Sequence, residues 1–376
     1  MKKIIYLIFS LFALSAQAQQ QTHPPELTPA ERIAVIDTLV AKVNALYVYE
    51  ELAKRMTAAI LQHLQHHDYD TITNRELFAK QLTIDLHAVN NDGHLGVEYS
   101  ASPIGDEKPE EPSQEAADAF RRTWSHSNFN FKKVEVLDGN IGLLQVDTFF
   151  PSDWIKDLTQ SSMTFLANSD AVIIDLRKNH GFADGGLLIA SYFFNESVHW
   201  NDIYDRDAKT LRQSWTLPVV PGTKLADKDV YILVSKDCFS ASEDFAYNMQ
   251  ALGRAKVIGE VTGGGAHPTK PYKIGTYFLA SIPFAYDVNP VTHTDWEGKG
   301  VQPDVKVPAD QALLTAQIMA IEAVIKRDPK DKDRLNELQQ VIAEKEKQLA
   351  TLNKSETRQQ TLPLFNGPAP TTGSRL

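Results

Sequence analysis

An α/β fold, with a helical bundle in front of it and a helical extension behind, is predicted by three observations. Between residues 132 and 258, short apolar runs rich in β-branched residues alternate with segments of helical period, the pattern of a sheet with crossover helices. Residues 28–89 hold three helical patterns joined by short connections, which suits a small bundle. From residue 309 to 352 the period is helical again. Residues 19–90 are therefore assigned to an N-terminal helical domain and 91–310 to the α/β domain. Residues 311–355 form C-terminal helices and 356–376 a disordered tail.

The 376 residues, 43% hydrophobic and 23% charged, can build a substantial core. A net charge of −10 argues against a nucleic-acid surface, which needs a basic face. Lys2 and Lys3, an apolar run from Ile4 to Leu14 and Ala16-Gln17-Ala18 read as a signal peptide over 1–18. Gln19 follows the expected cut, so no lipidated mature cysteine is predicted. No later run has the length of a membrane span, so stable insertion is not expected. Cys238 is the lone cysteine, so export leaves stability to the core and not to a disulfide.

Along the chain, Thr28-Pro29-Ala30-Glu31 resembles a capping box, and Ile33, Ile36, Leu39, Val40, Val43 and Leu46 keep helical spacing after it. A second helix is predicted from about Glu50 to His67 and a third, opened by Thr73, from Arg75 to Val89. His63, His66 and His67 at the second helix's end fit solvated, dipole-compatible residues better than a metal site. Asn90-Asn91-Asp92-Gly93 is a turn into a strand, His94 to Tyr99. The acidic, proline-rich residues 101–117 predict a surface loop. Lys132–Leu137 and Ile141–Val146 form a hairpin about Asp138-Gly139-Asn140, and Asp157–Ala167 a helix. Ala171–Leu176, apolar apart from Asp175, has the composition of a central strand, and Gly185–Phe194 of a helix. Thr276–Phe284 is a strand, 288–300 a polar loop, and Ala309–Lys326 a helix. Leu335, Leu338, Ile342, Leu349 and Leu352 define one amphipathic helix, interrupted by Lys345.

The chemistry centres on Tyr231–Gly265. A buried strand (Tyr231–Val234) leads through a turn to Ser240-Ala241-Ser242-Glu243, which opens a helix with Phe245, Met249 and Leu252 on one face and Gly253 at its end. A second strand, Ala255–Ile258, returns to the loop Thr262–Gly265. A hydroxyl at a strand-to-helix turn lies where N–H groups and the helix dipole favour developing negative charge. That suits an acyl-transfer nucleophile; a plain serine N-cap fits the same local pattern. A nucleophile needs a base and an orienter. His94, after the Asp92-Gly93 turn, and Glu297, in Trp296-Glu297-Gly298, are candidates, though His94 also fits a buried, hydrogen-bonded histidine.

Four segments arrive in one order: Asp92-Gly93-His94-Leu95; Ile173 through Gly181; Ser240-Ala241-Ser242-Glu243 with Gly259-Glu260-Val261-Thr262-Gly263-Gly264; and Trp296 through Asp304. In this order the chain, over about residues 28–325, resembles the tail-specific (C-terminal processing) serine peptidases. The likeness is to the branch of the interphotoreceptor retinoid-binding protein modules and the tricorn protease core. The resemblance implies a ClpP/crotonase-like α/β catalytic domain and an exported serine-type peptidase. It implies Ser240 as nucleophile, His94 as base, Glu297 as orienter, and an oxyanion hole from the N–H groups of Gly181 and Ala241.

Gly265 stands where the lysine-dependent branch carries its base, so a Ser–Lys dyad is not available. Phe182 replaces the second of two adjacent glycines usual in the family, and no stretch is long enough for a PDZ domain. The loop residues Thr262, Gly263 and Gly264 are candidates to bind an extended peptide through free backbone groups. Peptide or protein substrates are expected, with no metal or cofactor, since paired cysteines, HExxH and P-loop patterns are missing. The alternative is a non-enzymatic binding protein for an apolar small molecule or peptide on the same fold.

Overall fold

The computed structural model describes residues 26–105, 113–206 and 208–360. The proposed signal peptide therefore lies outside the described residues. Helices α1 (Pro29–Leu46), α2 (Glu50–Gln65) and α3 (Arg75–Val89) open the fold. Thr28 caps α1 by accepting the Glu31 N–H, but the Glu31 carboxylate turns to Arg75 at 2.6 Å, so the capping box closes on one side only. Asn74, not Thr73, caps α3.

Strand β1 (Gly96–Tyr99) follows, shorter than predicted because Gly93 and His94 belong to the turn. Helix α4 (Gln114–Ser125) occupies the end of what the sequence predicts as a loop. Acidic composition hid its apolar positions, Phe120 and Trp124, which pack against the main core. Then come β2 (Phe131–Leu137), β3 (Ile141–Val146), α5 (Ser152–Phe165), β4 (Ala171–Asp175) and α6 (Gly185–Ala190). The polar hairpin β5 (His199–Asp205) and β6 (Thr210–Trp215), which hydrophobic periodicity did not reveal, precedes β7 (Asp229–Val234). Next are α7 (Ala241–Ala251), β8 (Ala255–Gly259), β9 (Thr269–Gly275), β10 (Phe278–Pro283) and β11 (Ala285–Val288). Strand β12 (Val305–Lys306), α8 (Ala312–Arg327) and α9 (Lys332–Gln360) complete it. Helix α9 runs through residues 356–360, which the sequence assigns to the tail.

The main sheet has the order β12-β8-β7-β4-β3-β2, parallel except for the β2–β3 hairpin. Both faces are covered, which is why its strands read as continuous apolar runs. Val172, Ile174, Ile232 and Val257 face the core under α5, α6 and α7. Ile173, Tyr231, Leu233 and Ile258 face α8, where Ala312, Ala316 and Ala320 admit close approach. Leu338 of α9 joins that layer. Lys345, which breaks the apolar stripe of α9, pairs with Asp138 at 2.8 Å.

A second core gathers α1–α3 with Leu95, Val97 and the β9–β10 hairpin, whose strands pair in the order β1-β10-β9. The helical core takes in residues beyond position 90. The antiparallel sheet β1-β10-β9 packs with the helices, because Ile274, Phe278, Ala280 and Ile282 put their side chains into the helical core. A third sheet, β11-β5-β6, is not hydrogen-bonded to the other two but touches both cores through Trp200 and Tyr286.

Candidate active site

The site lies where the two cores meet. Leu95 fixes His94 to the helical core, while Cys238 and Phe245 fix Ser240 to the sheet core. Ser240 follows β7 and adopts φ 58°, ψ −125° at the start of α7. Such a conformation is strained for a residue with a Cβ. It is held by Glu243, whose carboxylate accepts the Ser240 N–H at 2.9 Å. The Ser240 hydroxyl lies 3.0 Å from His94 Nε2, across 146 positions of sequence. Ser242, fully buried, accepts the Phe239 N–H and donates to the Asn179 carbonyl, a structural role.

His94 is oriented by its own backbone and by ring packing. Its N–H donates to Asp92 Oδ1 at 3.0 Å, and its ring lies 4.6 Å from that of Phe239. Burial depresses its pKa to about 4, against the opposing charge of Asp92 and with help from His267. The imidazole is therefore neutral at pH 7, as a general base must be. Gly265 passes directly under this pair: a Cβ there would sit 2.2 Å from Phe239 and 2.8 Å from His94. A lysine at 265 is excluded by space as well as by sequence.

Glu297 does not orient His94 by a direct hydrogen bond. Its Oε2 accepts the Ala266 N–H at 2.6 Å and lies 3.5 Å from His267 Nδ1. Its Oε1 and the His94 Nδ1 are both buried without a hydrogen-bond partner. One atom each of Asp92, His94 and Glu297 converge to within 4.8 Å of one another. Asp92 is no open cation ligand, since its oxygens already accept from His94 N–H, Tyr47 OH and His267. The convergence is that of a proton network. Burial, then the Asp92 charge, raises the Glu297 pKa to about 7, with His267 opposing. His63 and His67 pair with Asp68 and Asp70 on the surface, away from this site.

The two candidate oxyanion donors differ in their hydrogen bonding. Ala241 N–H, the first of α7, has no hydrogen-bond partner among the described residues. Gly181 N–H instead donates to Asn179 Oδ1 at 2.8 Å. Gly181 (φ 83°) lies against the nucleophile turn, where a Cβ would approach Ala241 N to 2.6 Å. Phe182 next to it takes φ 120° and makes a parallel bridge to Phe149 through its neighbours. In such a bridge its own N–H points away from the partner strand.

The loop Thr262–Gly264 does not offer a free edge for a peptide. Gly264 and Gly265 N–H groups donate to Glu243 at 2.7 and 2.8 Å, and Gly263 N–H to the Cys238 carbonyl at 2.9 Å. The Thr262 hydroxyl also donates to Glu243. Its glycines serve close packing around a buried carboxylate instead of strand addition. Arg177 pairs with Asp175 at 2.7 Å and donates to the Ala309 carbonyl.

Sequence reasoning did not single out Glu243, Asp92, Tyr47 or His267. Glu243 carried a signal, the Ser-x-x-Glu spacing of a capping box. Asp92 stood two residues from His94. His267 carried none.

The fold and this serine–histidine pair define a protein of the serine hydrolase type of architecture. Two adjoining family models match: peptidase family S41 over residues 140–307, and the N-terminal domain of peptidase S41 in eukaryotic IRBP over residues 28–132. The chain belongs to peptidase family S41. A carboxyl-terminal-processing protease of Picosynechococcus sp. is 27% identical over 173 residues, 46% of this chain and 39% of that protein. The chain thus spans about two fifths of the length of that curated relative. Among solved structures, a candidate peptidase of Parabacteroides merdae aligns with TM-score 0.52 at 17% identity, covering 79% of this chain and 96% of that one. The tricorn protease aligns with TM-score 0.50 at 15% identity, over 79% and 37% of the two chains. At these identities they establish the shared fold. The N-terminal match ends at residue 132, beyond the boundary read from the sequence.

Proposed function

We propose that this chain is an exported serine-type peptidase that hydrolyses peptide or protein substrates through an acyl-enzyme on Ser240. The observation that carries this reading is the 3.0 Å contact between His94 Nε2 and the Ser240 hydroxyl. A binding cleft has no need of a neutral imidazole on a strained serine. His94 Nε2 takes the Ser240 proton as Oγ attacks the scissile carbonyl, and the Ala241 N–H donates to the oxyanion. The tetrahedral adduct collapses as His94 returns that proton to the leaving amine. Water then repeats the sequence on the ester, releasing the acid and restoring Ser240. We assign Glu297 Oε1, buried and without a partner, as the acceptor for His94 Nδ1–H when the imidazole becomes charged.

Export is inferred from the charged, apolar and small-residue order of residues 1–18. Among the described residues no helix is long and apolar enough to cross a membrane. The test is covalent labelling of purified protein by a fluorophosphonate probe. Wild type should label, and Ser240→Ala and His94→Ala should each lose at least about a hundredfold in rate while melting as wild type does. A folded wild type that does not label would sink the peptidase reading in favour of an apolar-ligand binder.

A further inference from the structure

Behind His94 lies a second buried histidine that the acyl-transfer steps do not use. His267 follows the glycine loop, and its side chain is 1% exposed. Its Nδ1 lies 2.7 Å from Asp92 Oδ2 and 3.5 Å from Glu297 Oε2. Asp92 itself is fully buried, and Glu297 is 15% exposed. Among the described residues, His267 is the one basic side chain recorded within ion-pair distance of either carboxylate.

We infer that His267 is a positioning residue for the Ser240–His94 pair, a buried cation that favours the ionised form of Glu297 and fixes it so that it can accept from His94 Nδ1. This rests on the peptidase reading above. Two carboxylates share this small volume, and both cannot stay ionised without a neighbouring positive charge. Asp92 is committed: it takes hydrogen bonds from His94 N–H, Tyr47 OH and His267. Glu297 is less so, with one oxygen on Ala266 N–H and the other unpartnered. Without the His267 charge, Glu297 is the carboxylate that takes up a proton. A protonated Glu297 no longer favours the imidazolium that His94 becomes during attack.

Acidic groups reach His267 from separate elements on its Nδ1 side, while its Nε2 is buried without a hydrogen-bond partner. Asp92 comes from the turn after α3, and Tyr47 and Tyr49 from the α1–α2 connection. Asp295 and Glu297 come from the loop after β11, and Tyr286 from β11 stacks on Tyr49. Burial works against a charged His267, but the hydrogen bond and charge of Asp92 and the charge of Glu297 outweigh it, so its pKa is raised. The Tyr49 ring packs edgewise on the imidazole at 5.4 Å and closes it from solvent.

His267→Asn separates charge from shape, because Asn Nδ2 occupies the place of Nδ1 and still donates to Asp92. Fluorophosphonate labelling would be followed from pH 5.5 to 9.5 at several probe concentrations, for wild type, His267→Asn and His267→Ala. For His267→Asn the limiting rate at pH 7 should fall about fivefold. Its rise should move up by about one pH unit, meeting wild type near pH 9. The half-saturating probe concentration should change less than about twofold. His267→Ala, lacking the donor, should fall further and not recover. A folded His267→Asn with the wild-type profile, or with a loss equal at every pH, would overturn the inference.

A second measurement is independent of catalysis: the Glu297 side-chain carboxyl followed by ¹³C NMR, assigned through Glu297→Gln. Its titration midpoint should rise by about one unit in His267→Asn. An unmoved midpoint overturns the inference even if wild type never labels. Failure of wild type to label, with the midpoint moved, rejects the peptidase reading and leaves the electrostatic role standing.

Discussion

Two glutamates, one buried and one partly exposed, flank the candidate catalytic pair, and they are built oppositely. Glu243 sits under the serine with four donors on its two oxygens: the N–H groups of Ser240, Gly264 and Gly265, and the Thr262 hydroxyl. Glu297 sits beyond the histidine with one backbone donor, one histidine at 3.5 Å and one oxygen bare. The first arrangement welds a turn to a glycine loop within one core. The second leaves an acceptor open where a charge appears only during the reaction. A fully paired carboxylate is scaffold; a half-paired one is available for work.

The largest effect expected from this contrast is on folding. Glu243→Ala strands four donors that the surrounding loops keep from water, each costing about 1–3 kcal/mol if it stays unpaired. We expect at least about 3 kcal/mol of destabilisation, read as a lower urea midpoint, and loss of probe labelling with it. Glu297→Gln should do the reverse. Labelling should slow by about a hundredfold, since Gln cannot hold the negative charge that favours the imidazolium. Its melting temperature should not fall. If Glu297→Gln destabilises as much as Glu243→Ala, the two glutamates are both scaffold and the comparison fails.

The linkage sign supports that stability prediction. Burial raises the Glu297 pKa to about 7 from an ordinary value of 4.5. A carboxyl raised in the folded state binds protons better there than when unfolded, so its contribution to stability declines as pH rises between those values. Glu297→Gln removes that decline. The mutant should gain on wild type from pH 4.5 to 7, by roughly 1–3 kcal/mol in denaturant titrations at the two pH values. Equal slopes for the two proteins would show that Glu297 is not the group titrating.

A smaller and sharper test is the acid limb of wild-type labelling. His94 is deprotonated above about 4, while Glu297 ionises only through about 7. If reaction needs only a neutral base, the rate should level off by pH 5. If it also needs Glu297 as anion, the rate should keep rising through pH 7, by about tenfold between pH 6 and 8. We expect the second. A plateau from pH 5 would leave Glu297 outside the chemistry.

The nucleophile half of this site was the legible half. Ser240, its helix and the flanking strands are one local pattern, in which a continuous apolar run gives way to a period near four around a Ser-x-x-Glu cap. The central strands were equally plain, because burial on both faces makes them apolar throughout. The base half comes from three distant segments, at residues 92–94, 267 and 297, and spatial neighbours of that kind leave no period to read. His94 and Glu297 stood only as loop candidates until the family resemblance gave them roles, while His267 lay outside every motif. The polar β5–β6 hairpin was missed because an exposed sheet lacks the alternation that marks a half-buried strand; residues 210–213 of β6 are all exposed. The role given to Thr262–Gly264 failed for another reason. Glycine signals close approach of backbone, but its composition cannot say to what: here the partner is Glu243, not a peptide.

The smallest expected effect concerns Phe182, on the nucleophile half. Its φ of 120° suits glycine, the residue the family resemblance expects at that place. Such a conformation costs about 1–3 kcal/mol. The ring offsets part of this by packing at 5.6 Å on Phe150 and 6.1 Å on Phe120, aromatic contacts worth about 0.5–1.5 kcal/mol each. Because Phe182 is 36% exposed, the lower end of that range applies. Phe182→Gly gives up the ring and gains backbone freedom in the unfolded chain, but releases the strain. The terms nearly cancel, so the unfolding free energy should change by less than about 1 kcal/mol. Phe182→Ala keeps the strain and loses the ring, and should be the less stable of the two by about 1 kcal/mol. If alanine equals or exceeds glycine there, the backbone at 182 is not strained, and the aromatic contacts alone place the loop beside Ser240.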